Sequence, residues 1–132
     1  MPNTALITGA SAGIGSEFAR YHASKGGDLV IAARREAPLN ALKSELETAH
    51  DITVTVMAMD VGSPEQAKAL YDAVKAEKIT VSILINNAGV GGHGAFLDRD
   101  LAQDQAMIDL NISALVSLSH LVGNDMKAHG GG

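Results

Sequence analysis

TGASAGIG, residues 8–15, ends a short apolar run that starts at Ala5 and opens a segment of helical periodicity that continues to Lys25. Its glycines, Gly9, Gly13 and Gly15, are spaced G-x-x-x-G-x-G. A strand turning sharply into a helix needs such residues, because glycine takes a positive φ without a Cβ clash and lets another group approach the backbone closely. The helix that follows offers unpaired N–H groups and the positive end of its dipole, so an anion fits over the turn. The same glycines also suit tight packing of helix on strand, and this stretch alone leaves both readings open. No Lys-Ser or Lys-Thr follows Gly15, so the turn lacks the cation of a triphosphate-hydrolysing loop.

The rest of the chain repeats the alternation. Residues 5–8, 29–33, 52–59 and 81–85 read as apolar strands. Between and after them, residues 13–25, 37–49, 64–78 and 100–126 carry helical spacing. In the first helix Ile14, Phe18 and His22 form the apolar stripe, and Gly26 and Gly27 end it; in the second the stripe is Leu39, Leu42 and Leu46. The third helix announces its start with Ser63 as cap, Pro64 at the first helical position and Gln66 completing a capping box. In the last, Leu101, Ile108, Ile112, Leu115, Leu118 and Val122 recur at helical spacing. Apolar strands joined by helical crossovers form a parallel sheet covered on both faces. The expected fold is therefore α/β, a Rossmann-like doubly wound parallel sheet of about four strands, with residues 1–132 as one truncated domain.

Composition narrows the chemistry. Hydrophobic residues are 46% and charged residues 19% of the 132, which excludes disorder, and aromatics at 3% leave the core to Ala, Val, Ile and Leu. A net charge of -5, with no basic cluster beyond Arg34 and Arg35, argues against a nucleic-acid partner. The absence of cysteine removes disulfides and thiolate metal sites and fits a reducing compartment. His22, His50, His93, His120 and His129 show no paired ligand spacing, so no metal is expected. The first residues, MPNTALITGA, lack the basic start and apolar run of a signal peptide, and no stretch reads as long and apolar enough to span a membrane. A cytoplasmic protein is expected.

Four motifs in order resemble the short-chain dehydrogenase/reductase family in its cofactor-binding half. They are TGASAGIG after the first strand, Asp60-Val61 after the third, NNAG at residues 86–89 after the fourth, and Asn111 within the helix that follows. Taken singly, Asp60 suits a turn before a helix, NNAG a polar turn, and Asn111 a mid-helix residue meeting a backbone carbonyl. Together they fall where open parallel sheets bind ligands. The resemblance implies a pyrophosphate held by the loop of Gly9, Ser11, Gly13, Ile14 and Gly15. It further implies an adenine between Asp60 and Val61, and an adenosine ribose lined by Asn87, Ala88 and Gly89, with Asn86 supporting the sheet. It assigns Asn111 to the catalytic group, as organiser of a proton relay.

Cofactor choice follows from charge. About 20 residues past the glycines an acidic side chain would bind the free ribose hydroxyls of NAD. Here the second strand ends in Ala33-Arg34-Arg35. A guanidinium binds a 2′-phosphate through charge-assisted, often bidentate bonds, so NADP(H) is favoured over NAD(H), with Arg34 first. The competing reading is a pair of solvated arginines beside Glu36.

In the family, a tyrosine and a lysine four residues on stand on the helix after the fifth strand, with a serine at that strand's end. This chain carries the spacing twice, at Tyr21/Lys25 on the first helix and Tyr71/Lys75 on the third. Tyr21 lies about 9 Å up its helix from Gly15, too far along to meet a nicotinamide. Both pairs read as residues that share a helix face, with the lysine stem over the ring. MKAHGGG, residues 126–132, resembles the turn that leads into strand five, so the serine, tyrosine and lysine are expected beyond it. The expected function is the NADP(H)-binding portion of a reductase, inactive alone. The alternatives are half of a split oxidoreductase or a non-enzymatic interaction module. Strand four, open on one edge, and the last helix are expected to mediate self-association. The loop of residues 90–96 is a candidate substrate mouth.

Overall fold

The computed structural model describes residues 3–132. In chain order the elements are β1 (Thr4–Thr8), α1 (Gly13–Ser24), β2 (Asp28–Ala33), α2 (Glu36–Ala49), β3 (Val54–Ala58), α3 (Pro64–Ala76) and β4 (Ile83–Ile85). A short 3-10 turn at Phe96–Asp98 precedes α4 (Leu101–Ile108), a π-helical turn (Asp109–Ala114) and α5 (Leu115–Ala128). The strands form one sheet in the order β3-β2-β1-β4, every pairing parallel. Rossmann-like, doubly wound α/β architecture is what the alternation predicts.

Alternation along the strands divides the core in two. Ala5 and Ile7 of β1 and Leu29 and Ile31 of β2 face α1 and α2, against Ala19, Ala23, Leu39, Leu42 and Leu46. Leu6 and Val30 face the other way, against Ala67, Leu70 and Val74 of α3 and Leu118 and Val122 of α5. Both faces are covered, so β1 and β2 are buried along almost their whole length.

Four expectations are corrected. On α1 the packed stripe is not Ile14, Phe18 and His22: Ile14 and Phe18 are 69% and 43% exposed, and Gly15, Ser16, Ala19 and Ala23 are buried instead. Small residues win here because the helix starts hard against the β1 turn. A Cβ on Gly15 would stand 2.5 Å from Asn87 Nδ2 and 2.9 Å from the Gly9 carbonyl carbon. Second, β3 and β4 are shorter than residues 52–59 and 81–85 suggest. Third, residues 100–126 are not one uniform α-helix, since the π turn interrupts them at Asn111, and of the stripe expected there only Leu118 and Val122 are buried, while Leu101, Ile108, Ile112 and Leu115 are exposed.

The fourth correction concerns hydropathy. The rod Leu101–Ala128 is long and apolar enough, by length and composition alone, to cross a membrane, with mean hydropathy 1.4 over its best 18-residue window. Two apolar stripes produce that value. Ala114, Leu118 and Val122 are buried against the sheet, while Ile108, Ile112, Leu115 and Val116 face outward.

α3 follows its sequence signals in part: the Ser63 hydroxyl accepts from Gln66 N at 3.2 Å and Pro64 begins the helix, but no return bond from Ser63 N to the Gln66 side chain closes the capping box among the described residues. The two sheet edges differ. On β3 the Glu47 carboxylate accepts from Val54 N at 2.8 Å and the Lys43 ammonium donates to Val54 O, so α2 side chains occupy edge groups that a further strand would need. On β4 Ser82 N donates to Thr4 O at 3.0 Å toward β1, and no such side-chain cover lies on the other edge among the described residues.

Candidate functional site

The order β3-β2-β1-β4 places the reversal of winding between β1 and β4, where open sheets of this kind form a crevice at the carboxyl ends of the strands. The turn after β1 and the loop after β4 form its two walls. Thr8, at the end of β1 and buried, fastens them: its Oγ1 accepts from Asn87 N at 3.1 Å and from Ala88 N at 3.0 Å. Asn87 Nδ2 then donates to Gly9 O at 3.1 Å. Asn86 Nδ2 donates to Ser119 Oγ at 2.9 Å, tying the same loop to α5.

The three glycines of the turn serve different ends. Gly9 has φ +63 and lies under the Asn87–Ala88 backbone, where a Cβ would come within 3.0 Å of Ala88 Cα. Gly15 is glycine because of its packing against Gly9 and Asn87. Only Gly13, with φ +58 and no neighbour within 4 Å of a Cβ, faces open space. Thus two of the three answer to packing, and the third keeps the mouth of the crevice clear.

α1 begins at that mouth without a side-chain cap and without a carboxylate in its first turn. Its first N–H groups lack intrahelical partners, and Ile14, exposed beside Gly13, contributes backbone rather than side chain. α3 and α4 are built otherwise, with Ser63 and Asp100 accepting from Gln66 N and Ala102 N. Ser11 is half-buried in the turn, and Ser16 Oγ donates to Gly13 O at 2.8 Å.

On the β2 side, Arg34 and Arg35 are exposed, and neither enters an ion pair among the described residues. Past β3, Asp60 is exposed, with Oδ1 accepting from Gly62 N at 3.0 Å, and Val61 packs partly into the core beside α3. Past β4, Ala88 and Gly89 continue the wall, and a Cβ on Gly89 would lie 3.1 Å from Asn111 Oδ1. Asn111 sits in the π-helical turn, a feature frequent at functional sites. Its carboxamide pairs with both backbone groups of Val90: Nδ2 donates to Val90 O at 2.7 Å, and Oδ1 accepts from Val90 N at 3.0 Å. The half-open hollow behind, lined by Thr8, Val61, Ala88 and Leu118, measures about 10 Å³, room for about one water. A larger ligand at this edge of the sheet would lie in the open crevice. Backbone N–H groups and guanidinium flank it, donors that fit a diphosphate and a further phosphate.

The tyrosines lie elsewhere. Tyr21 is on the exposed side of α1, with Lys25 Nζ 5.4 Å from its ring centroid. Tyr71 and Lys75 meet a third residue that the spacing alone does not suggest: Tyr71 Oη donates to Asp125 Oδ1 at 3.0 Å, and Lys75 Nζ lies 2.8 Å from Asp125 Oδ2. Burial, followed by the bond to Asp125, pushes the Tyr71 phenol above its ordinary range. Lys75 holds the Asp125 carboxyl below the usual carboxylate range, and Asp125 in turn raises Lys75. A phenol shifted upward is the reverse of what proton transfer near neutral pH needs. Thr8 and the Asn86–Ser119 bond were not singled out as site features in the sequence, although Thr8 directly precedes the first glycine.

The short chain dehydrogenase family model matches residues 3–132. The very-long-chain 3-oxoacyl-CoA reductase of Scheffersomyces stipitis is 36% identical over 123 residues, covering 89% of this chain and 35% of that protein. A short-chain dehydrogenase from Sphingobium yanoikuyae, in complex with NADPH, superimposes with TM-score 0.90 at 35% identity, covering 100% of this chain and 51% of that one. L-sorbose reductase from Gluconobacter frateurii, complexed with NADPH and L-sorbose, gives TM-score 0.93 at 31% identity, covering 99% and 50%. The chain thus spans about a third of that 3-oxoacyl-CoA reductase and about half of each of these two solved structures.

Proposed function

The chain belongs to the short chain dehydrogenase family, and we propose that it carries the cofactor-binding portion of an oxidoreductase that reduces carbonyls or oxidises alcohols, with NADP(H) preferred over NAD(H). One observation carries the cofactor reading: the uncapped start of α1 stands beside β2, whose end bears the exposed Arg34 and Arg35. In this reading the backbone from Gly9 through Ser11, Gly13 and Ile14 to Gly15 holds the pyrophosphate. Arg34 and then Arg35 take the 2′-phosphate, Asp60 and Val61 flank the adenine, and Asn87, Ala88 and Gly89 line the ribose. Relatives bound to NADPH support it.

When bound, the nicotinamide supplies or takes the hydride. The residues of this chain bind and orient; Asn111 holds Val90 and belongs to the proton relay. Neither tyrosine is the proton donor, because Tyr21 is out on α1 and Tyr71 is committed to Asp125. These 132 residues by themselves therefore bind cofactor without turning over a ketone. A titration of the chain with NADPH and NADH tests the reading. NADPH should bind roughly tenfold or more tightly, with Arg34→Ala erasing the difference. Equal affinities, or ketone-dependent NADPH oxidation lost on Tyr71→Phe, would overturn it.

The contrast of sheet edges favours a further step, association through β4 or the outer stripe of the helical rod. Lys43 and Glu47 cover the edge of β3, whereas among the described residues no side chain bonds the outer edge of β4, and Ile112 and Val116 are exposed. The partner is a second copy or a chain supplying Ser, Tyr and Lys. Sedimentation should show concentration-dependent mass that falls with Ile83→Pro or Val116→Glu. A monomer at all concentrations, with no activity regained on mixing with such a chain, would remove this step.

A further inference from the structure

The loop that leaves β4, residues 90–95, is fastened to the helical rod at two points. At its start Asn111 holds Val90. Toward its end Arg99 takes hold: Nη1 donates to His93 O at 2.8 Å, while Nε and Nη2 each lie 2.7 Å from Asp104 Oδ1. The side chains of Arg99 and Asp104 are 18% and 17% exposed, making this the most buried ion pair among the described residues. The guanidinium covers Gly92, where a Cβ would stand 2.7 Å from Nη1 and 2.8 Å from Cζ. Gly94 supplies the left-handed bend, φ +123, with a Cβ 3.7 Å from Arg99 Cγ. Gly92 and Gly94 thus let the loop lie down on Arg99, and Asp104, in the first turn of α4, fixes the guanidinium that receives it.

The sheet order says what this loop borders. With the pyrophosphate over the β1 turn and the 2′-phosphate at the end of β2, the adenosine half extends toward β3. Its ribose meets Asn87–Gly89, which Thr8 holds at the start of the segment after β4, and the other half then extends past them along the loop that Arg99 fastens. Resting on the dinucleotide reading above, we propose that Arg99 is a positioning residue that sets the wall of the crevice against the nicotinamide half of the cofactor. A guanidinium suits the task because its planar fork reaches carboxylate and carbonyl together, which a lysine, a single point charge, does not. Removing the fork releases the loop and leaves the adenosine side untouched.

The experiment measures NADPH and 2′,5′-ADP affinities, together with amide hydrogen exchange at residues 91–94, for the chain, Arg99→Lys, Asp104→Asn and the double variant. Each single variant should raise exchange in the loop roughly tenfold and weaken NADPH roughly tenfold. Binding of 2′,5′-ADP should stay the same, and the double variant should be no worse than either single, since both break one linkage. If 2′,5′-ADP binds as before and NADPH affinity does not change, Arg99 has no positioning role and the dinucleotide reading stands. An equal loss of both ligands marks a merely structural residue and overturns the proposal. Failure of the unaltered chain to bind 2′,5′-ADP removes the dinucleotide reading itself, and the proposal with it.

Discussion

Tyr71 Oη donates to Asp125 Oδ1 at 3.0 Å across the contact between α3 and α5, with Lys75 on the other carboxylate oxygen. The Tyr-x-x-x-Lys spacing therefore serves as a clamp between two helices on one face of the sheet. Tyr71→Phe keeps the ring and loses the bond. It should lower stability by about 0.5–1.5 kcal/mol, toward the low end because the cluster is partly solvated. Urea denaturation with an unchanged m-value would measure this. No effect at all would mean that the bond is not populated in solution.

The same three groups give a pH signature. Asp125 is depressed in the folded protein, so its contribution is present above the ordinary carboxylate value of about 3.9 and is lost as pH falls through the lower folded value. Lys75 and Tyr71 are raised, so theirs is present below their ordinary values of about 10 and is lost as pH rises through the higher folded ones. Asp125→Asn should therefore cost most between about pH 5 and 9 and progressively less beyond either end. Thermal melts across pH, wild type against variant, would check this. A constant difference from pH 3 to 11 would exclude the linkage.

Strands, the α2 stripe and the doubly wound order were legible because aliphatic periodicity and the Ser63-Pro64 cap follow local rules, whereas the stripe read on residues 100–126 kept only Leu118 and Val122 in the core. The α1 stripe was not legible. There, contact requires the absence of side-chain volume, at Gly15, Ala19 and Ala23, and a search for large apolar residues selects the opposite face. The motif residues 8–15, 60–61, 86–89 and 111 could be found in the sequence as a set. Their hydrogen bonds could not, since Thr8 meets Asn87 and Ala88 across 79 and 80 positions. Asp125 was missed for the same reason, its partner Tyr71 being 54 residues away.

Thr8 accepts two backbone N–H groups while almost fully buried, so its hydroxyl cannot be replaced by water. Thr8→Val keeps the shape and strands both donors, at a cost of about 2–3 kcal/mol. Thr8→Ser keeps the acceptor and should cost less than half as much. Chemical denaturation of both variants decides the matter. A loss in Thr8→Ser with none in Thr8→Val would show that the methyl, and not the hydroxyl, matters at this position.

Gly13 and Gly15 stand two residues apart and should fail in different ways. At Gly15 an added methyl group meets Gly9 and Asn87, so Gly15→Ala should destabilise by about 1–3 kcal/mol through overpacking and separate the two walls of the crevice. At Gly13 there is room for the methyl, and only the left-handed backbone objects, costing about 1–2 kcal/mol. Gly13→Ala should thus retain the hydrogen bonds of Thr8 and Asn87 while moving the first N–H groups of α1, so anion binding suffers more than stability. Comparing the loss of 2′,5′-ADP affinity with the loss of unfolding free energy separates the two. If Gly15→Ala weakens binding without destabilising the fold, and Gly13→Ala does the reverse, the division between a packing glycine and a mouth glycine is wrong.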